Sequence, residues 1–155
     1  MVIENKSERG TFEPVPEGIH NAVLVDVVDL GIEQTTYNNE TKDQHKLKLV
    51  WQVPTELTST DKVKTIGRKF TASLHEQSAL RKTLNQWLGG LTPEQTVSLD
   101  LDLLIGTSAK LLVMNREIDG RMMHMVESVQ PCDEKLEASA DYVRIKDREE
   151  LDTGY

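Results

Sequence analysis

The segment from 19 to 30 is apolar on both of its alternating sets of side chains, and this feature constrains the fold of the chain most strongly. One set holds Val23, Val25 and Val27, and the other holds Ala22, Leu24, Val28 and Leu30. A strand of this kind must be covered on both sides, or must curl so that its two halves serve two sheets. The first strand of a small closed barrel does the latter. We therefore expect such a strand here, ending at Gly31.

Residues 46–53 carry a second and more regular strand signal. Apolar side chains take every second position, and mostly polar ones lie between them: Leu47, Leu49, Trp51 and Val53, against Lys46, Lys48, Val50 and Gln52. This alternation predicts one buried face and one largely wet face. We expect Pro54 to end the strand and the polar segment 34–44, with Asn38 and Asn39, to form the turn region before it.

The middle of the chain predicts a third strand and then a helix. Residues 64–72 give a less regular strand with Gly67 as a bend. Ser73 and Glu76 have the spacing of a capping box at a helix start. Four apolar side chains then recur at helical spacing: Leu80, Leu84, Trp87 and Leu88. The glycine pair that begins at Gly89 is expected to close this helix.

A second short helix and two further strands complete the pattern. Thr92-Pro93-Glu94-Gln95 repeats the signal of a helix start. Residues 109–115 and 121–129 predict two strands joined by a turn at Asp119-Gly120, and Pro131 ends the last one. The chain is thus mainly β with one or two helices, in the order βββαββ of a five-stranded OB-type barrel. An open α+β sheet is the alternative, and the doubly apolar first strand favours closure.

At 155 residues the chain has room for one domain. Its composition suggests an N-terminal arm (1–17), a barrel domain (18–131) and an acidic tail (132–155) that is mobile or loosely docked. Its apolar stretches fall short of the ~20 residues that cross a bilayer, and residues 1–10 lack the apolar core of a secretory signal. Cys132 is the single cysteine. We therefore expect a cytoplasmic protein without membrane contact.

Charge is distributed unevenly along the chain. The formal net charge is −8, which taken alone argues against a nucleic-acid partner. Residues 42–82, however, hold nine basic and four acidic side chains, whereas residues 132–155 hold four basic and eight acidic ones. A basic middle joined to an acidic end supports a functional hypothesis, and two ordinary solvated surfaces are the plain alternative.

The sequence contains no recognisable motif for catalysis, metal binding or a cofactor. Its four histidines are scattered: His20, His45, His75 and His124. A glycine-rich phosphate loop and a nucleophile elbow are both lacking. Asp100 and Asp102 alternate with leucines, a pattern that solvent-facing positions explain better than a Mg²⁺ site. We expect no enzyme activity, metal or cofactor, and we assign Met122, Met123 and Met125 to core packing.

The remaining candidates form a surface for single-stranded nucleic acid. In an OB barrel this surface is the face of strands two and three, flanked by the loops after strands one and four. The basic residues in these parts would contact phosphates: Lys46, Lys48, Lys62, Lys64, Arg68, Lys69, Arg116 and Arg121. Tyr37 and Phe70 are the candidates for stacking on bases, because Trp51 and Trp87 fall on predicted core faces.

Three segments of the chain resemble small replication-module proteins of tailed phages. They are Gly18-Ile19-His20-Asn21-Ala22-Val23-Leu24-Val25-Asp26, Lys48-Leu49-Val50-Trp51, and Phe70-Thr71-Ala72-Ser73-Leu74-His75-Glu76-Gln77-Ser78-Ala79-Leu80-Arg81. The resemblance covers residues 12 to 131 and rests mainly on the last segment. Those proteins look like OB-type single-stranded DNA-binding proteins. The resemblance therefore implies single-stranded DNA as partner, a role in DNA replication or recombination, and the cytoplasm of an infected bacterial host.

Single-strand binding proteins of several lineages also end in an acidic tail tipped by an aromatic residue, which recruits replication and repair proteins. A similar set ends this chain: Asp147, Glu149, Glu150, Asp152 and Tyr155. The likeness implies a tail that binds protein partners or folds back on the basic face. Two other hypotheses stay open. One is an interaction or inhibitor module whose acidic surface mimics nucleic acid, and the other is catalysis on nucleic acid.

Overall fold

A computed structural model describes residues 13–152. The elements, in chain order, are β1 (Gly18–Tyr37), β2 (Glu40–Leu57), β3 (Val63–Thr71), α1 (Ala79–Leu88), α2 (Pro93–Val97), a 3-10 helix (Leu101–Leu104), β4 (Ser108–Ile118), β5 (Arg121–Pro131) and α3 (Ile145–Asp152). The mainly β composition and the order of three strands, helix and two strands are confirmed. Within these residues, every helix is too short or too polar to span a bilayer.

The five strands form one antiparallel sheet in the spatial order β3-β2-β1-β4-β5. β3 and β5 are its edges, so the sheet of the described chain is open and barrel closure stays a prediction. Helix α1 contacts both edge strands. Its position between them follows from its amphipathic sequence, which presents Leu80, Leu84 and Trp87 to the sheet.

The main core lies between one face of the sheet and α1. Trp51 of β2 and Trp87 of α1 are 0% and 2% exposed, and their rings meet edge to face with centroids 6.0 Å apart. The indole N–H of Trp87 donates to the carbonyl of Ser108 at 2.9 Å. Both tryptophans are therefore core residues, as predicted. Val15, from the predicted N-terminal arm, is also buried in this core.

A second apolar cluster lies on the opposite face of β1. It contains Val23 and Val25 with Val50 of β2, and Leu136 and Tyr142 cover it from the C-terminal segment. We call residues 133–148 the C-terminal strap. The strap explains why β1 is apolar on both sides: the strand is covered twice, which was one of the two solutions that its sequence allowed.

The strap is fixed to the sheet by hydrogen bonds. The amide side chain of Gln52 both donates to Ser139 Oγ and accepts from Ser139 N, each at 2.8 Å. The N–H of Leu136 donates to Ser108 Oγ at 3.0 Å. The segment that the sequence predicted as a mobile or loosely docked tail is thus bonded to the sheet between residues 136 and 145.

The predicted turn region 34–44 is wrong, because β1 and β2 continue through it as a long hairpin. The turn itself is only Asn38-Asn39, both in the left-handed region with φ of 52° and 63°, as a tight two-residue hairpin requires. Gly31 does not end β1. It lies at a shift in the β1–β2 register, with φ of 74°. The polar residues after it remain in the strand because they pair with β2.

Two further predicted boundaries are wrong. β2 passes Pro54 and reaches Leu57, with a register shift after Val53 that accommodates the proline. Helix α1 starts at Ala79, and its N-cap is Ser78, whose hydroxyl accepts from the N–H of Arg81. Ser73 accepts from the N–H of His75 instead. For α2 the capping box between Thr92 and Gln95 is confirmed.

Candidate nucleic-acid interface

The strand registers divide the predicted phosphate-binding residues between the two faces of the sheet. Lys48 of β2 lies opposite Lys69 of β3, and Lys46 lies opposite Thr71. Because side chains alternate along a strand, these residues point away from the main core, to the side that we call the outer face. Arg68, Phe70 and Lys64 occupy the intervening positions of β3 and point to the core side.

Three lysines therefore form a cluster on the outer face. Lys46 Nζ donates to Thr71 Oγ1 at 2.7 Å, and Lys69 Nζ lies 2.6 Å from Glu33 Oε1. Lys48 is exposed, and it forms no ion pair with any residue from 13 to 148. Like charges directly opposite each other destabilise a sheet, but Glu33 offsets the charge of Lys69. Lys48 is therefore the lysine of this cluster whose charge is most available to an anionic ligand.

Gly67 has no side chain, and this leaves space for the side chain of Lys48 to lie across β3. A Cβ placed on Gly67 would lie 2.4 Å from Cε of Lys48 and 3.1 Å from the carbonyl oxygen of Leu49. The aliphatic stem of Lys48 thus lies over the glycine, where a side chain would displace it. Gly67, predicted as a bend in β3, instead makes room for the central lysine of the cluster.

Phe70 is not available for stacking on a base. Its ring is 3% exposed and belongs to the main core, so the predicted stacking role is wrong. The guanidinium of Arg68 lies 4.8 Å from the centre of that ring. Burial lowers the pKa of Arg68, and the charge of Glu127 on β5 opposes this effect. Arg68 therefore lies in the gap between the sheet edges, away from the lysine cluster.

Lys62 and Lys64 lie apart from the cluster as well. The Lys64 side chain is 16% exposed and its Nζ lies 4.0 Å from Glu56, on the core side of the sheet. Lys62 lies in the loop before β3 and lines an open cavity of about 420 Å³ together with Asp141 and Arg148 of the strap. Lys62 is thus a neighbour of the strap rather than of Lys48.

Arg116 and Arg121 both lie on the outer face, in the β4–β5 hairpin. Arg116 is opposite Met123, and Arg121 is opposite Ile118. Arg116 forms an ion pair with Glu127. The predicted residues thus occupy three places: the lysine cluster, the gap between β3 and β5, and this hairpin.

The methionines of β5 are exposed, so their assignment to core packing is wrong. Met122, Met123 and Met125 are 60%, 45% and 37% exposed. In the register with β4, Met123 and Met125 share the outer face with Arg116, while Met122 points to the other side. Sequence alternation alone could not show this, because β5 extends past the edge of the core.

Some predicted residues lie outside the described side chains. Tyr37 ends β1 opposite Glu40, but its side chain is among those not described, and so are the side chains of Glu149, Glu150 and Asp152. Tyr155 lies wholly outside the described residues. Asp147 is exposed in the first turn of α3. The predicted stacking by Tyr37 and partner binding by the tail remain predictions.

Comparison with models of protein families gives no match. Comparison with curated proteins gives none either. The fold and the contacts described here are therefore the grounds for assigning a function.

Asp26 is a buried structural residue whose partners the sequence could not supply. It is 1% exposed, and it accepts hydrogen bonds from Tyr142 Oη at 2.7 Å, Arg144 Nε at 3.0 Å and the N–H of Ile145 at 2.8 Å. Burial raises the pKa of Asp26, but these hydrogen bonds outweigh it and leave the pKa below its usual value. A buried aspartate requires partners, but only the fold shows that they come from the strap.

Asp100 and Asp102 have structural partners too. Asp100 caps the 3-10 helix by accepting from the N–H of Asp102 at 3.1 Å. Asp102 Oδ1 lies 3.4 Å from Arg144 Nη2. Among residues 13–152, no three histidine, cysteine or acidic side chains are grouped to hold a metal ion.

Proposed function

We propose that this protein binds single-stranded DNA through the outer face of β2 and β3. The observation that carries the proposal is the cluster of Lys46, Lys48 and Lys69 on the exposed side of the sheet. Phosphate contacts need local positive charge, and this acidic chain gathers three lysines on one side of the sheet, with Lys48 exposed and in no ion pair among residues 13–148. Lysine is a point charge without the planar fork that reads base edges, so binding follows the backbone and tolerates any sequence.

The strand order supports an OB-type barrel as the scaffold. In the order β3-β2-β1-β4-β5, closure would join β3 to β5, and these two strands approach each other with α1 against both. The OB fold is a partly open five-stranded barrel that binds oligonucleotides on strands two and three. The lysine cluster lies on those two strands.

The biological setting follows from the same proposal. A sequence-tolerant single-strand binder supports DNA replication or recombination, here in the cytoplasm of a phage-infected bacterium, without catalysis or a cofactor. The C-terminal residues beyond the strap, including Glu149, Glu150, Asp152 and Tyr155, would recruit replication or recombination proteins. Self-association of the protein is compatible with this role.

The proposal is tested by reversing charge within the cluster. We expect the double variant Lys46→Glu/Lys48→Glu to lose binding to a labelled 30-nucleotide strand in fluorescence anisotropy at low salt. The variant should stay folded, because a glutamate at position 48 would face Lys69 and replace a like-charge pair by an opposite-charge pair. Lys82→Glu, an exposed position on α1, makes half the charge change away from the cluster and should bind nearly as the wild type does.

Unchanged affinity of the double variant would remove β2 from the site. A wild-type protein without affinity for the strand would point to the other class of function, a module that binds a host or phage protein. Capture of one stoichiometric partner from a host lysate would then identify that function.

A further inference from the structure

The outer face of the β4–β5 hairpin carries an exposed apolar patch. It consists of Met114 and Ile118 on β4 with Met123 and Met125 on β5, which are 36% to 45% exposed. The strand register pairs Met114 with Met125 and places all four side chains on one side of the hairpin. We call these four residues the methionine patch. None of them belongs to the two apolar clusters of the described chain.

Basic residues surround the methionine patch on the same face. Arg116 and Arg121 alternate with the patch residues, and Lys110 lies further along β4, opposite Gln130. Within residues 13–148, the one ion pair that these three cations form is between Arg116 and Glu127. In a chain of net charge −8, a local excess of positive charge around an exposed apolar surface complements a partner that combines negative charge with apolar rings.

The patch adjoins the proposed nucleic-acid face at the gap between the sheet edges. β5 contacts β3, and Glu127 is near enough to Arg68 to affect its pKa. Lys69 of the lysine cluster and Met125 of the methionine patch therefore lie on the two strands that meet at this contact. A bound strand that crosses from β3 to β5 would reach the patch.

We propose that the methionine patch contacts the bases of the bound single strand, mainly through Met123 and Met125. This inference rests on the proposed function and supplies base contacts that the buried Phe70 cannot make. A polarizable thioether makes favourable contacts with aromatic rings, and every base has such a ring face. Exposed unbranched side chains adapt to any base, which agrees with sequence-tolerant binding.

The test compares two strands of equal charge, a 30-nucleotide oligothymidine and an abasic strand of the same length. Wild-type protein should bind the base-bearing strand more tightly. Met123→Ala/Met125→Ala should lower that affinity about fivefold, because alanine cannot replace the interaction of sulfur with the base rings, while affinity for the abasic strand stays unchanged. Met122→Ala is the matched control, because Met122 is more exposed but lies on the opposite face. Thermal midpoints of all three proteins confirm that they fold.

Two results would overturn the inference while the proposed function stands. One is wild-type affinity of Met123→Ala/Met125→Ala for oligothymidine. The other is a wild-type dimer in sedimentation velocity that this variant converts to monomers, because a second copy would then cover the patch. Failure of the wild type to bind either strand at ~50 mM salt, where phosphate contacts are strong, would instead reject the proposed function and the inference with it.

Discussion

Asp26 joins the sheet to the C-terminal strap through a single buried carboxylate. Its oxygens accept from the side chains of Tyr142 and Arg144 and from the backbone of Ile145. Arg144 also donates to the carbonyl of Val27 at 3.1 Å. A carboxylate taken out of water is tolerated only with such partners. The strap therefore depends on this residue more than on any of its exposed contacts.

We expect Asp26→Ala to lower the free energy of unfolding by about 3 kcal/mol, because it leaves the Arg144 guanidinium and two other donors without their acceptor. Urea unfolding measures the loss. Asp29→Ala is the matched control: its carboxylate is 73% exposed and bonded to His45 at 2.6 Å, so a much smaller loss is expected. Similar small losses in both variants would contradict the role of Asp26.

The lowered pKa of Asp26 also predicts how the free energy of unfolding depends on pH. Its pKa is lower in the folded protein than the ordinary value of 3.8, so the unfolded chain takes up the proton first. The stability from this group is present above the unfolded pKa and is lost as pH falls through the folded pKa. Wild type should therefore lose more stability between pH 5 and the acid limit of folding than Asp26→Asn does. Equal losses in urea titrations would exclude Asp26 as a contributor.

The start of helix α1 distinguishes the structure from the sequence prediction. The predicted cap was Ser73, whereas the hydroxyl of Ser78 accepts from the N–H of Arg81 at 3.1 Å. We expect Ser78→Ala to destabilise the protein by about 1 kcal/mol. Ser73→Ala should cost less, because its hydroxyl serves one exposed turn. The reverse order in thermal unfolding would place the helix start at Ser73.

The C-terminal strap is part of the folded unit, because it covers the second apolar cluster. We expect a chain truncated after residue 132 to unfold at a lower temperature and to bind a hydrophobic dye, because Val23, Val25 and Val50 lose their cover and Asp26 loses its partners. A truncated chain with the wild-type midpoint and no dye binding would show that the strap adds nothing to the fold.

The number of strands, the first two helices and the core positions of Trp51 and Trp87 follow from side-chain periodicity and could be predicted. Helix α3 could not, because it lies in the polar segment that was predicted as a tail. The lengths of β1 and β2 could not be predicted, because pairing between the two strands keeps polar residues such as Gln34 in a strand. Alternation along β2 also placed Lys46 and Lys48 on one face, but the sequence did not separate Lys69 from Arg68 and Lys64 on β3, which the strand register does. It misplaced Phe70, because a register between strands decides which side of β3 faces the core.

At the scale of the whole molecule, an acidic protein places several of its basic residues on one face of a sheet. The lysine cluster and the arginines of the β4–β5 hairpin share that face, while the strap covers the part nearest Val50 and leaves Lys48 exposed. Net charge alone would therefore mislead about the partner, because a nucleic acid responds to the local field of the surface that it meets.

The most direct test of single-strand binding by this face is the salt dependence of wild-type affinity for a labelled 30-nucleotide strand, with a duplex of the same length as control. A site that contacts about four phosphates of a single strand loses roughly 50-fold in affinity between ~50 and ~200 mM salt. We predict a loss of this size and a clear preference for the single strand. Absence of binding at ~50 mM salt, or equal affinity for the duplex, would contradict the proposed function.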